Sequence, residues 1–254
     1  GASMCLIAFA WQQSPQQPLL LIGNRDEFHH RPTRALDLWT REGHPELLAG
    51  KDIEAGGTWL GVTRDGRFAA VTNIRRPGAP KAPLSRGQLP LDYLQGTRSP
   101  AAFVHALQGQ LANYTGFNLL VGDREQLWFL NSEHGQARQL EPGIYAVSNA
   151  DLDSPWPKTD CLRSALANNL DADDETLFSL LANDHIYADE QLPDTGISLE
   201  WERMLSATFI VGLPEYGTRA SSILRLQANN RIRLTERRFG ALGEPQGETC
   251  REWR

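Results

Sequence analysis

A thiol at position 5 stands directly after Met4. If the chain is cut between the two, Cys5 carries a free α-amino group, whose ordinary pKa is roughly 7.7–8.0. Such an amine can take the proton of its own side chain, so one residue supplies nucleophile and base without a histidine. The other role open to a cysteine in an apolar segment is that of a small buried hydrophobe. Four polar residues, Asn24-Arg25-Asp26-Glu27, follow the second apolar run. A guanidinium there would favour the thiolate, and a carboxylate would hold an ammonium group or the arginine fork. A solvated turn is the alternative reading. Asn149 closes Ala146-Val147-Ser148, and Asn73 closes Ala70-Val71-Thr72. Each sets a neutral, directional donor at the end of an apolar run, which is what an oxyanion requires. Arg219, within Gly217-Thr218-Arg219-Ala220-Ser221-Ser222, precedes a further run. Taken singly, each could be a turn former or a surface charge. Their recurrence at strand ends makes them a group. Asn24, Glu27, Thr58 and Trp59 are the candidate substrate contacts. Trp59 lies in Gly56-Gly57-Thr58-Trp59-Leu60-Gly61, whose glycines would let a ligand approach the backbone.

The elements that must position these residues follow from hydrophobic periodicity. Met4–Trp11 and Pro18–Gly23 read as a strand pair, with regularity ending in the polar cluster from Asn24 to Pro32. Trp59–Thr63 and Phe68–Thr72 flank Arg64-Asp65-Gly66, a hairpin signal. Arg75–Pro90 is rich in Pro, Gly and basic residues and reads as an irregular loop. Helices are expected at Leu89–Gln95, Ser99–Leu111, Lys158–Leu170 and Glu175–Asn183; Ser99 can cap the second, and Pro100 suits its first turn. Phe117–Gly122 pairs with Gln126–Asn131, and Gly143–Ser148 is another strand. Residues 184–206 form an acidic stretch with weak patterning. Ala207–Leu213, Ser222–Gln227 and Arg231–Arg238 close the chain as strands. This order predicts an α+β fold of layered antiparallel sheets with helices packed outside.

The 254 residues are 41% hydrophobic, enough for a sizeable core, and carry a net charge of −6. No basic face points to nucleic acid, no run is long enough to be a membrane helix, and no signal peptide is legible. Cys5, Cys161 and Cys250 are too few and too widely spaced for a disulfide framework. His29 and His30 are adjacent, so in an extended segment they face opposite ways, and no metal is expected. No nucleotide-binding loop is present, and no cofactor is expected. The expected compartment is the reducing cytoplasm. Gly1-Ala2-Ser3 reads as a tag remnant, leaving residues 4–254 as one domain.

Met4-Cys5, Gly23-Asn24-Arg25-Asp26-Glu27, Gly56-Gly57-Thr58-Trp59-Leu60-Gly61, Ala70-Val71-Thr72-Asn73 and Ser148-Asn149 together resemble the NRDE family, also called the transport and Golgi organisation protein 2 family. More distantly, the pattern is similar to the cysteine N-terminal-nucleophile hydrolases of the choloylglycine hydrolase and penicillin V acylase group. That resemblance implies a four-layer αββα sandwich and cleavage of a non-peptide carbon–nitrogen bond such as an acyl amide. It implies Cys5 as nucleophile, with Arg25 polarising the thiol and Asp26 orienting the amine. Asn149, with Asn73, would hold the oxyanion, and Arg219 would close the cluster. One departure matters. Arg25 and Asp26 are adjacent here, whereas two residues separate the pair in that group, and strand neighbours face opposite sides. Either the strand ends by Arg25, or Glu27 takes the place of the aspartate. The family also implies, as alternatives to an amide substrate, a lipid, an acyl-coenzyme A or haem held without turnover.

Overall fold

The computed structural model describes residues 4–254; the expected tag remnant lies outside them. Thirteen strands among these residues form two antiparallel sheets. The first sheet runs β10 (Gly143–Val147), β1 (Met4–Ser14), β2 (Gln17–Phe28), β11 (Tyr216–Leu226), β12 (Ile232–Phe239) and β13 (Pro245–Trp253). The second runs β3 (Thr33–Trp39), β4 (His44–Asp52), β5 (Leu60–Thr63), β6 (Phe68–Asn73), β7 (Phe117–Gly122), β8 (Leu127–Asn131) and β9 (Ala137–Gln139).

Both sheets are covered on both faces, which explains why β1 and β2 read as continuous apolar runs. Along β1, Ile7, Phe9 and Trp11 enter the core between the sheets, where they meet Leu48, Val62 and Phe129. The alternate residues Leu6, Ala8 and Ala10 face outward onto α3 (Pro157–Ala167) and α4 (Asp174–Leu181) through Leu162, Leu166 and Leu177. The second sheet is covered by α1 (Gln88–Gln95) and α2 (Pro100–Leu107), which bring Leu89, Tyr93, Phe103 and Val104 onto Ala69, Val71 and Leu119. The result is the expected four-layer αββα sandwich. Local signals set the helix ends: Ser99 accepts from Ala102 N ahead of α2, and Asp173 accepts from Thr176 N ahead of α4.

Several segments differ from the sequence expectation, and β3, β4 and β9 form where no element was expected. β2 continues through the polar cluster to Phe28, because β1 and β11 pair with its backbone on both sides. Residues 207–213 are not a strand. Ala207 and Ile210 are apolar because they pack with Leu205, of α5 (Leu199–Leu205), and Tyr216. β13 is an edge strand, exposed along nearly all its length, so it carries no apolar alternation to detect.

Candidate active site

Strand pairing assembles the site at the end of β1 and β2. Cys5 pairs with Arg25, and Met4 pairs with Asp26. By alternation, the thiol of Cys5 shares the inter-sheet side of its strand with Ile7 and Phe9. Arg25 and Glu27 share that side on β2, in line with Leu19 and Leu21. Asn24 and Asp26 point the other way, in line with Leu20 and Ile22, toward the helices. The strand therefore does not end at Arg25, and the two adjacent charges stand on opposite faces of one sheet.

Cys5 is 5% exposed. Burial pushes its thiol up to about 12, and the carboxylate of Asp26 adds to this. Arg25 opposes the rise, Glu27 adds to it and Lys158 opposes it. The Cys5 carbonyl accepts from Ser148 Oγ at 3.0 Å. That hydroxyl lies 3.1 Å from Asn149 Oδ1, so a single serine joins the start of β1 to the end of β10.

Arg25 is buried, donates to Thr33 Oγ1 at 3.3 Å, and stacks over the Trp59 ring at 4.4 Å. A Cβ on Gly50 would fall 2.5 Å from that ring, so Gly50 is what admits the indole. Of the glycines beside Trp59, Gly57 is approached by the chain itself, since a Cβ there would fall 2.5 Å from the Gly87 carbonyl carbon, and Gly56 faces open space. Thr58 is buried there; its N donates to Gly87 O at 3.1 Å, and its Oγ1 donates to Leu60 O. Glu27 accepts from Phe28 N at 2.8 Å and lies 4.0 Å from Arg31 Nε.

Asp26 accepts from Thr218 Oγ1 at 2.6 Å through one oxygen, while its other oxygen has no hydrogen-bond partner among the described residues. Burial raises its carboxyl. Asn24 donates at 2.9 Å to both Leu181 O and Thr208 O and accepts from Ser221 Oγ at 2.6 Å. Its amide is committed to holding three segments together.

Asn149 Nδ2 donates to Asn73 O at 2.7 Å, so the ends of β10 and β6 meet. A cleft of about 460 Å³ opens beside Asn149, lined also by Ile74, Arg75, His134, Asp151 and Trp156. Arg219 does not precede its strand but lies inside β11. It is the extra residue of a bulge between Thr218, opposite Asp26, and Ala220, opposite Arg25. Its guanidinium donates to Phe28 O at 2.9 Å and Arg31 O at 3.1 Å. It is coupled electrostatically to Arg25 and Glu27.

Sequence reasoning missed a second set of buried charges. Lys158, in the first turn of α3, is 2% exposed and donates to Leu205 O at 2.8 Å. Arg75 pairs with Glu202 at 3.0 Å, with both side chains buried, and stacks over Trp156 at 4.7 Å. Glu202 also accepts from Thr195 Oγ1 at 2.8 Å. The signal for Lys158 was available. It falls four and eight residues before Leu162 and Leu166, the buried stripe of its helix.

Fold and site together define a four-layer αββα protein with a buried cysteine on its first strand. Over residues 4–241 the sequence matches the Transport and Golgi organisation 2 family, and the chain belongs to that family. It is 32% identical to the Transport and Golgi organization protein 2 homolog of Bos taurus, with 92% of each chain covered. It is 31% identical to the Homo sapiens homolog over the same shares, and 25% identical to Transport and Golgi organization protein 2 of Drosophila melanogaster over 96% of this chain and 95% of the fly protein. Among solved structures, a Caenorhabditis elegans N-acylethanolamine-hydrolyzing acid amidase ortholog is similar, with a TM-score of 0.40 and 12% identity; the match covers 70% of this chain and 86% of that one. Among the described residues, no helix is long and apolar enough to cross a membrane.

Proposed function

We propose that the protein is an N-terminal-nucleophile hydrolase cleaving a non-peptide carbon–nitrogen bond, such as an acyl amide, once Met4 is removed. The carrying observation is the register that sets Cys5 against Arg25 while Ser148 ties the Cys5 carbonyl to Asn149. The freed amine takes the thiol proton, and the thiolate adds to the substrate carbonyl. Asn149, with Asn73, stabilises the resulting oxyanion, and Arg25 favours the thiolate. The carbon–nitrogen bond then breaks, and the leaving nitrogen takes the proton held by the Cys5 amine. Water, deprotonated by the same amine, hydrolyses the thioester and releases the carboxylate.

The split of Arg25 and Asp26 between two faces fits this chemistry. The thiol is a side chain and meets Arg25 on one face. The amine is a backbone atom in the plane of the sheet, and removal of Met4 leaves it beside the residue that Met4 had faced, Asp26. The unpartnered Asp26 oxygen supplies an acceptor for it. Arg219 acts through Arg25 and Glu27, and Trp59 with Thr58 walls the thiol side.

The test is covalent trapping. Full-length protein beginning at Cys5 is incubated with a series of β-lactone and activated-ester acyl probes and digested for mass spectrometry. An adduct on Cys5, absent in Cys5→Ala, is the expected result; no adduct from any acyl group, with the Cys5 thiol still titratable, refutes the reading. A second reading applies to any form that keeps Met4. There the nitrogen is an amide and the thiol is buried and protonated, which favours binding without turnover of a lipid, acyl-coenzyme A or haem. A ligand copurifying equally with wild type and Cys5→Ala would support it.

A further inference from the structure

We propose that Lys158 is a positioning residue that keeps the freed Cys5 amine neutral by balancing the charge of Asp26. This rests on the hydrolase reading above. An amine acts as a base only while unprotonated, and a buried carboxylate beside it stabilises the ammonium form. Asp26 is such a carboxylate: fully buried, opposite Met4 in the register, and bonded through one oxygen to the neutral Thr218 hydroxyl. Uncompensated, it would hold the amine as ammonium and disarm it.

Lys158 approaches from the same side of the sheet. The first turn of α3 buries its Nζ against the neutral Leu205 carbonyl. Burial and then the Arg75 guanidinium work against the charge of Lys158, and Asp26, Cys5 and Glu202 favour it. The remaining charges divide cleanly. On the helix side, Arg75 and Glu202 pair with each other at 3.0 Å. On the thiol side stand Arg25 and Glu27 from β2 and Arg86 from the loop before α1. Tyr216, on β11, is buried and stays neutral, its hydroxyl raised well above its ordinary value by burial. Among the described residues around the start of β1, Asp26 and Lys158 are thus the opposed charges on the helix side that no ion pair already cancels.

The sign follows. Removing the Lys158 charge leaves Asp26 unopposed, raises the amine's proton affinity, and moves the acid limb of the pH–rate profile upward. A charge within about 4–6 Å shifts a pKa by about one to three units, and a shift of about one unit lowers the rate at neutral pH about tenfold while the alkaline plateau stands. Removing the Asp26 charge moves the limb the other way.

The experiment measures Cys5 acylation by a β-lactone probe between pH 5 and pH 10, on full-length chains beginning at Cys5. Wild type, Lys158→Gln, Lys158→Arg and Asp26→Asn are compared, each first checked for a cooperative melt. The expected result is an acid limb shifted up in Lys158→Gln, restored in Lys158→Arg and shifted down in Asp26→Asn. Where Lys158→Gln does not fold, the Lys158→Gln/Asp26→Asn pair, which removes both charges, should return the limb to within about half a unit of wild type. A profile lowered at every pH with its midpoint unmoved means that Lys158 is merely structural and overturns the inference, leaving the hydrolase reading intact. Wild-type protein that takes no acyl group removes both.

Discussion

The reactivity of Cys5 depends on whether Met4 is attached, and the structure sets the size of the difference. With its nitrogen in a peptide bond, the buried thiol is pushed from 9.0 to about 12. At pH 8 the thiolate fraction is then about 10⁻⁴, against about one tenth for a thiol at its ordinary value, so alkylation is slowed about a thousandfold before any steric term. Cys161 and Cys250 are exposed and serve as internal references in the same tube. The assay is iodoacetamide labelling at pH 8, quenched over time, with site occupancy read by peptide mass spectrometry. In protein retaining Met4, Cys5 should lag both references by at least a hundredfold, and its rate should keep rising with pH to beyond pH 10. Removing Met4 frees an amine that takes the thiol's proton, so the thiolate forms as one half of an ammonium–thiolate pair, and a neighbouring opposite charge lowers an acid by about one to three units. Labelling of Cys5 should then accelerate at least tenfold while the references stay constant. If Cys5 labels as fast as Cys161 with Met4 in place, or fails to accelerate without it, the electrostatic account of the site is wrong.

Asn24→Leu strands the Leu181 and Thr208 carbonyls and the Ser221 hydroxyl, costing about 3 kcal/mol; the melting temperature should fall, and limited proteolysis should open first between residues 182 and 213. Glu202→Gln leaves the Arg75 guanidinium buried without its counter-charge, a loss of about 3–5 kcal/mol that calorimetry would register. Exchanging the neighbours, Arg25→Asp with Asp26→Arg, keeps composition and net charge but puts each charge on the wrong face of β2. Circular dichroism and gel filtration should show a destabilised or unfolded chain, and a wild-type melt would contradict the face assignment.

The layers were legible because their signals are local. Ser99 and Pro100 mark a helix start, and paired apolar runs around Asp-Gly mark a hairpin; both elements formed. The edge strand β13 was not legible, because a strand exposed on both sides has no core to impose alternation. Ala207–Leu213 misled for the opposite reason. Its apolar residues answer to packing beneath α5, and hydrophobicity alone does not distinguish that from a sheet. In the site, Cys5, Arg25 and Asn149 stood out by type and position, whereas Lys158 did not, since a lone lysine at a helix start usually faces solvent. Gly57, beside Trp59, was legible as a close-approach position, but what approaches it, the Gly87 backbone, comes from the far end of an irregular loop.

The polar run after the second apolar segment shows why its residues must be read by face. Asn24, Arg25, Asp26 and Glu27 are all buried, which for four consecutive polar residues requires a partner for each. The strand supplies two sets of partners. On the helix side, Asn24 finds the carbonyls of Leu181 and Thr208, and Asp26 finds Thr218. On the inter-sheet side, Arg25 finds Trp59 and Thr33, and Glu27 finds the Phe28 amide and Arg31. Alternation thus sets Arg25 on the face that carries the Cys5 side chain and Asp26 on the opposite face. A helix or loop carrying the same four residues would not divide them this way. Adjacent positions on a straight strand are what put one charge on each face of the sheet, opposite the start of β1.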